Sequence, residues 1–397
     1  MPARTTNALR LALFWLGVQA VWGALLGISL QARSLELAPG NAIVAYGRLA
    51  TAGALVAAIT QVLVGFWSDA RRRGGSRRIE FYVSGAIVGC AALAFFYSAP
   101  NFCRLTLALL VLQAAFNVGI GPYQAIIPDF VEPARTGAAS SWMAALQGAG
   151  NAVGALAASF IANGRLLAGT LSALVIGTCA VTVTHIRTLP LRAAVISAMP
   201  AQRRAFVDLF ISRGLVYVGF YTLLGYLLFY VGSVLSAGSP ADVKRETGIL
   251  IVGFTLVGAL GAAIAARPSD RLDKRFVATL GGAAFVAALG LFIGSHTLGT
   301  IAIATVVAGI GWGVFLVADW AIACRVLPQN AMAAAMGIWN LAVVGPQIVA
   351  PALTTLMLVQ LKVANQPGAP RVAFALALIE TSLGIAWLWR LSRCVIR

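Results

Sequence analysis

The stretch GFWSDARRRGGSRR, residues 65–78, sets one carboxylate and five arginines directly behind a long apolar run. A basic cluster against the end of such a run marks where a helix leaves hydrocarbon and meets water, because Lys and Arg gather on the cytoplasmic side of membrane spans. The rest of the chain repeats the arrangement. Hydrophobic residues make up 60% of the 397, charged residues only 10%, and the mean hydropathy is +0.89. A water-soluble chain carries roughly 25% charged residues, so a soluble domain is excluded. Apolar runs of about 20 residues, each able to cross about 30 Å of hydrocarbon as a helix, lie near 8–30, 43–67, 79–98, 104–127, 137–162, 166–186, 206–235, 248–266, 277–294, 298–323, 332–358 and 372–391. They predict an all-α membrane protein of twelve transmembrane helices. The first run is too long for a removable leader and is expected to stay.

The net charge of +17 would suit nucleic acid if it were concentrated on one surface. Instead it alternates. With the N-terminus inside, twenty Lys and Arg fall in cytoplasmic connectors and seven on the opposite side. That bias predicts both termini in the cytoplasm and assigns the arginine excess to topology rather than to nucleic acid. The expected location is a bacterial cytoplasmic (inner) membrane, with membrane lipids as neighbours and a monomer as the assembly state. Cys90, Cys103, Cys179, Cys324 and Cys394 form no CxxC pair, and His185 and His296 stand far apart. No metal site and no cofactor are expected. The glycine run GAGNAVG (148–154) lies inside a span with no strand before it, which favours close helix packing over nucleotide binding.

An internal repeat divides the chain at its longest basic connector into an N-terminal half (1–187), a cytoplasmic linker (188–206) and a C-terminal half (207–397). The cluster after span two, with Asp69, has a counterpart after span eight in AARPSDRLDKRF (265–276), with Asp270 and Arg271. VEPARTGAASSWM (131–143) likewise answers VLPQNAMAAAMGIW (326–339). Both pairs lie roughly 200 positions apart, as two parallel six-helix repeats would place them.

These residues carry a resemblance. The G-x-x-x-D pattern of residues 65–69, followed by Arg77 and Arg78, resembles the signature connector of the major facilitator superfamily, in the lengthened spacing of its glycoside-pentoside-hexuronide and sucrose-transporter-like branch. GPYQAIIPDFVEP (121–133) resembles that branch's fourth-helix ending, and FLVADWAIACRVLP (315–328) with MGIWNLAVVGPQIVAP (336–351) its tenth and eleventh helices. Ala70 and Ser76 depart from the branch pattern, which has arginine and glycine there. The resemblance implies two pseudo-symmetric six-helix halves that rock between discrete states.

Within that frame Asp69, Arg77, Arg78, Asp270 and Arg271 are expected to gate the transporter, with Asp69 accepting charge-assisted bonds from Arg77 or Arg78. Arg71, Arg72 and Arg73 also suit anchoring on anionic headgroups. Polar groups that apolar spans would not otherwise need mark the substrate path. In the first half they are Trp15, Gln19, Trp22, Gln113, Asn117, Gln124, Gln147 and Asn151; in the second, Tyr217, Tyr221, Asn340 and Gln347. Amides and aromatic rings on one face suit a hydroxyl-rich neutral solute such as a sugar, although interhelical hydrogen bonding explains any single member equally well.

Ionisable residues at depth are costly and usually face a cavity or a partner. Arg48 can snorkel to the interface, and Glu380 falls on a helix the resemblance places at the periphery, where a structural or lipid-edge role is expected. Arg213 and Asp319 remain as the pair expected to meet and to couple protons to transport. The expected function is proton-coupled symport of a small polar solute, plausibly a sugar or glycoside, by alternating access. An antiporter exporting drugs or metabolites is the alternative; no nucleophile-and-base pair suggests an enzyme.

Overall fold

In a computed structural model the chain is all helix, with no strand among the described residues, which are 7–132, 135–191, 203–235, 238–326 and 332–391. Twelve long helices follow one another: α1 (Ala8–Leu37), α2 (Ala42–Arg73), α3 (Ile79–Ser98), α4 (Phe102–Tyr123), α5 (Thr136–Phe160), α6 (Gly164–Thr188), α7 (Arg203–Val234), α8 (Pro240–Arg271), α9 (Lys274–Gly294), α10 (Leu298–Val326), α11 (Met332–Gln360) and α12 (Ala369–Leu388). Eleven are long and apolar enough to cross a membrane. The twelfth, α5, carries Ser140, Ser141, Gln147 and Asn151, polar groups that lower its hydropathy. A π-turn at Leu25–Ser29 interrupts α1, and one short turn of helix, Ile126–Phe130, follows α4.

Local chemistry sets the ends. Asn101 and Asn163 cap α4 and α6 by accepting from backbone N–H groups of the first turn, and Ser239 with Asp242 forms a capping box behind Pro240 at the start of α8. Three helices, α1, α2 and α8, overran the expected spans by a turn or more, the last two for local reasons. The arginines 71–73 continue α2 by another turn instead of forming a loop, since Arg is a good helix former and its charge suits the negative C-terminal end. The N-terminus of α8 starts at Pro240 because the capping box nucleates it well before the apolar run.

The helices pack as two compact units, one drawn from Met1–Pro39 and Ala52–Val195, the other from Gly40–Thr51 and Ile196–Arg397. The start of α2, up to Thr51, thus belongs to the second unit. Inside the first, α1 and α5 are pressed together at the glycine run: a Cβ added to Gly154 would sit 1.9 Å from the carbonyl oxygen of Ala20. Without a hydrophobic force between helices in lipid, such close approach is what holds them. The internal repeat is visible in packing as well. Gly85 of α3 meets the backbone of Gly119 in α4, and at the matching place in the second unit Gly281 of α9 meets that of Gly311 in α10.

Candidate functional site

The connector that opened the sequence analysis folds around Arg78. This residue stands at the N-cap of α3 with φ 62, a left-handed conformation costly for a side chain with a Cβ. Three bonds from its side chain and one from its backbone hold it. Its Nε donates to Asp129 Oδ2 at 2.9 Å, Nη1 to Ser68 Oγ at 2.8 Å and Nη2 to Asp69 Oδ1 at 2.8 Å, while its backbone N–H donates to Ser76 Oγ at 2.9 Å. Asp129, from the short turn after α4, also accepts from Arg72 Nε at 3.2 Å. Arg72, Arg78 and Asp129 are all buried, whereas the Asp69 side chain is 62% exposed.

Of the two arginines expected at Asp69, Arg78 makes the bond. Arg77 turns the other way and donates to the carbonyl oxygens of Ile186 and Leu189 at 2.6 and 2.5 Å, satisfying the open end of α6. The role of Arg72 is also not anchoring, for it lies under the connector against Asp129, while Arg71 and Arg73 are exposed. Sequence reasoning missed Asp129, although an acid at the end of an apolar run is a signal in itself. In the second unit the side chain of Asp270 lies outside the described residues, and Arg271 is exposed. The carboxylate described there is Asp273, which caps α9 and accepts from Arg275 at 2.8 Å. Arg275 also donates to the carbonyl of Leu391, just past α12, at 2.7 Å. It does for α12 what Arg77 does for α6, so packing adds a correspondence between the halves, Arg77 with Arg275.

The polar face of the first unit is assembled from four helices. Trp15 Nε1 of α1 donates to Gln147 Oε1 of α5 at 3.4 Å, and its ring stacks on Tyr123 with centroids 5.7 Å apart. Gln61 of α2 donates to Asn117 Oδ1 of α4 at 2.6 Å, and Asn117 Nδ2 donates to the carbonyl of Gln113 at 2.7 Å. Gln19, Gln113 and Asn117 are buried, Trp15, Trp22 and Asn151 half-buried, and Gln147 exposed. Trp22 packs edge-on against Phe116. Gln124 is exposed just past the end of α4. Gln61 belongs to the set although, as the one amide in α2, it formed no stripe.

In the second unit Arg213 of α7 and Asp319 of α10 form an ion pair, 3% and 2% exposed. Arg213 also donates to Tyr217 Oη at 3.2 Å. Its guanidinium lies 4.8 Å from the Tyr217 ring and 4.6 Å from the Trp339 ring, within cation–π range. The next turn of α7 carries an aromatic group: Phe220 stacks on Trp312 of α10 at 4.2 Å and 11°, with Tyr217 edge-on to Trp312 at 5.0 Å. Gln347 of α11 donates to Tyr221 Oη at 2.8 Å. The side chain of Asn340 lies outside the described residues. The tryptophans 312 and 339 were not anticipated; nothing in the spacing of single rings on α10 and α11 distinguishes them from core.

The sequence profile of the major facilitator superfamily matches residues 8–351. The chain belongs to that superfamily. Among solved structures, a bacterial homologue of the human lysosomal transporter Spinster, inward-facing and occupied, superposes with TM-score 0.74 at 16% identity, covering 99% of this chain and 97% of that one. The nucleoside transporter NupG superposes with TM-score 0.71 at 12% identity, covering 97% and 98%. Identities this low speak to fold alone. No curated protein matches the sequence. Family and fold together point to an integral membrane transporter rather than an enzyme, and among the described residues no group of His, Cys, Asp and Glu could hold a metal.

Proposed function

We propose that this superfamily member is a proton-coupled symporter of a small polar solute, in the sugar and glycoside class, working by alternating access. The observation that carries the reading is the buried Arg213–Asp319 pair beside the aromatic group of Tyr217, Phe220 and Trp312. A buried pair is held at high electrostatic cost and is a poor way to gain stability, so its presence at membrane depth argues for work done by separating and re-forming it. Aromatic faces accommodate the apolar face of a sugar ring, and in the same unit the amide of Gln347 offers both a donor and an acceptor to its hydroxyls. The branch suggested by the Asp69 to Arg78 spacing fits the same substrate class.

A second solute class is favoured by one observation. The parallel Phe220–Trp312 stack would extend onto a planar heteroaromatic ring, and the fold is shared with a nucleoside transporter. A thermal-stabilisation screen on the purified protein, with sugars, nucleosides and amphiphilic cations side by side, separates the readings, because a ligand bound to the folded state raises apparent stability by mass action. Stabilisation by sugars supports the first reading, by nucleosides the second. Stabilisation by amphiphilic cations alone would replace both with drug export.

The proposed setting is a bacterial inner membrane, with the protein a monomer, both termini and the 68–78 connector cytoplasmic, and protons and lipids as the other partners. Ser76→Cys in a cysteine-free background is expected to resist an impermeant maleimide in intact cells and to react after permeabilisation. Reaction in intact cells would invert the topology.

A further inference from the structure

The buried face of α12 carries one acid. Ala377, Glu380, Thr381 and Gly384 lie on that face, against an α7 that comes very near. Ser212 Oγ donates to the carbonyl of Gly384 at 2.7 Å, and a Cβ added to Gly219 would collide with Thr381 Oγ1. Glu380 therefore does not stand at the lipid edge; it is 9% exposed, and its Oε2 is enclosed with no hydrogen-bond partner.

The groups that could compensate a charge there are committed elsewhere. On α7, Arg213 is paired with Asp319, and Asp208 accepts from Trp387 and lies by Arg390. At the start of α9, Arg275 is held by Asp273 and Leu391, while Lys274 of the same first turn forms no ion pair with Glu380. At the start of α12, Arg371 donates to the carbonyl of Ser295 and contacts His296. Tyr226 of α7 interacts electrostatically with Glu380, and its hydroxyl is bonded to Thr355 of α11 at 2.8 Å. Among the described residues no cation pairs with Glu380 and no donor reaches it.

An ionised carboxylate so placed would be far more costly than the neutral acid, which needs little solvation. Asp319 is the opposite case, a carboxylate whose charge Arg213 balances. We propose that Glu380 is a second proton-binding site, occupied in this conformation while Asp319 stands ionised beside Arg213. Release requires water or a cation to reach the carboxyl, as a shift of α12 against α7 would allow. This deepens the symport reading and rests on it only for the consequence in transport.

Proton occupancy can be read without any substrate. In full-length protein reconstituted in nanodiscs, the infrared carbonyl stretch of a protonated carboxyl is expected in the wild type, retained in Asp319→Asn and lost in Glu380→Gln. Glutamine copies the neutral acid in shape, so an unchanged melting temperature should accompany the lost band. Dicyclohexylcarbodiimide gives a chemical readout: the acid O–H adds across one C=N bond, carboxyl oxygen to carbon and proton to nitrogen, and the acyl group then migrates to nitrogen as a stable N-acylurea. The adduct should map to Glu380 and decline about tenfold per pH unit once the acid ionises. A wild-type spectrum identical to that of Glu380→Gln, or an adduct on Asp319 in its place, overturns the proposal. Neither readout involves transport, so a failed symport assay leaves it standing and its own failure leaves symport standing.

Discussion

Asp319→Asn is expected to abolish proton-driven accumulation of solute in proteoliposomes while leaving solute exchange across the membrane measurable. Accumulation needs a group that changes its proton state as the carrier reorients; exchange needs only the reorientation. The amide keeps the shape and an acceptor for Arg213 but cannot release a proton or carry charge. Breaking a buried ion pair by removing one partner costs about 3–5 kcal/mol. Here the remaining guanidinium keeps its bond to Tyr217 and its faces on Tyr217 and Trp339, so the variant should fall below that range and still fold. Arg213→Met, which strands the acid instead, should be the less stable of the two. Uptake against a gradient by Asp319→Asn would remove this residue from coupling.

Helix number and order were legible because hydropathy over a span-length window is a strong signal, and a helix in lipid has no competing secondary structure. The meeting of Arg213 and Asp319 was legible for a related reason: two opposite charges at similar depth on different helices have few other ways to be solvated. What failed concerns lateral register, which depth does not determine. The sequence paired Asp69 with Asp270 but did not offer Arg77 with Arg275, whose correspondence appears only in the helix ends they cap. Glu380 was assigned to the periphery from the helix it sits on, yet helix α12 has a buried face as well as a lipid face, and only packing chooses between them. Asp129 was quoted within a motif but given no role, since the bend after α4 that turns it toward Arg72 and Arg78 is set by contacts remote in sequence.

The two carboxylates at Arg78 should therefore answer substitution in opposite ways. Asp129 is 6% exposed and binds both Arg72 and Arg78, so Asp129→Asn takes a negative charge from between two buried positive ones. A loss of about 3–5 kcal/mol is expected, the scale for a broken buried pair, and it should appear as a lower melting temperature in detergent and less protein in the membrane. Asp69 contacts Arg78 from a largely exposed position, where an ion pair contributes about 0–1 kcal/mol. Asp69→Asn should fold and insert near normally. Its effect should fall on rate, because a bond worth little in one state can still bias a two-state equilibrium if the other state lacks it. Slowed transport at wild-type protein level is the expected result for Asp69→Asn. Equal melting temperatures for the two variants would show that Asp129 is no keystone, and unchanged transport by Asp69→Asn would leave the connector an anchor, with Arg78 serving only to start α3.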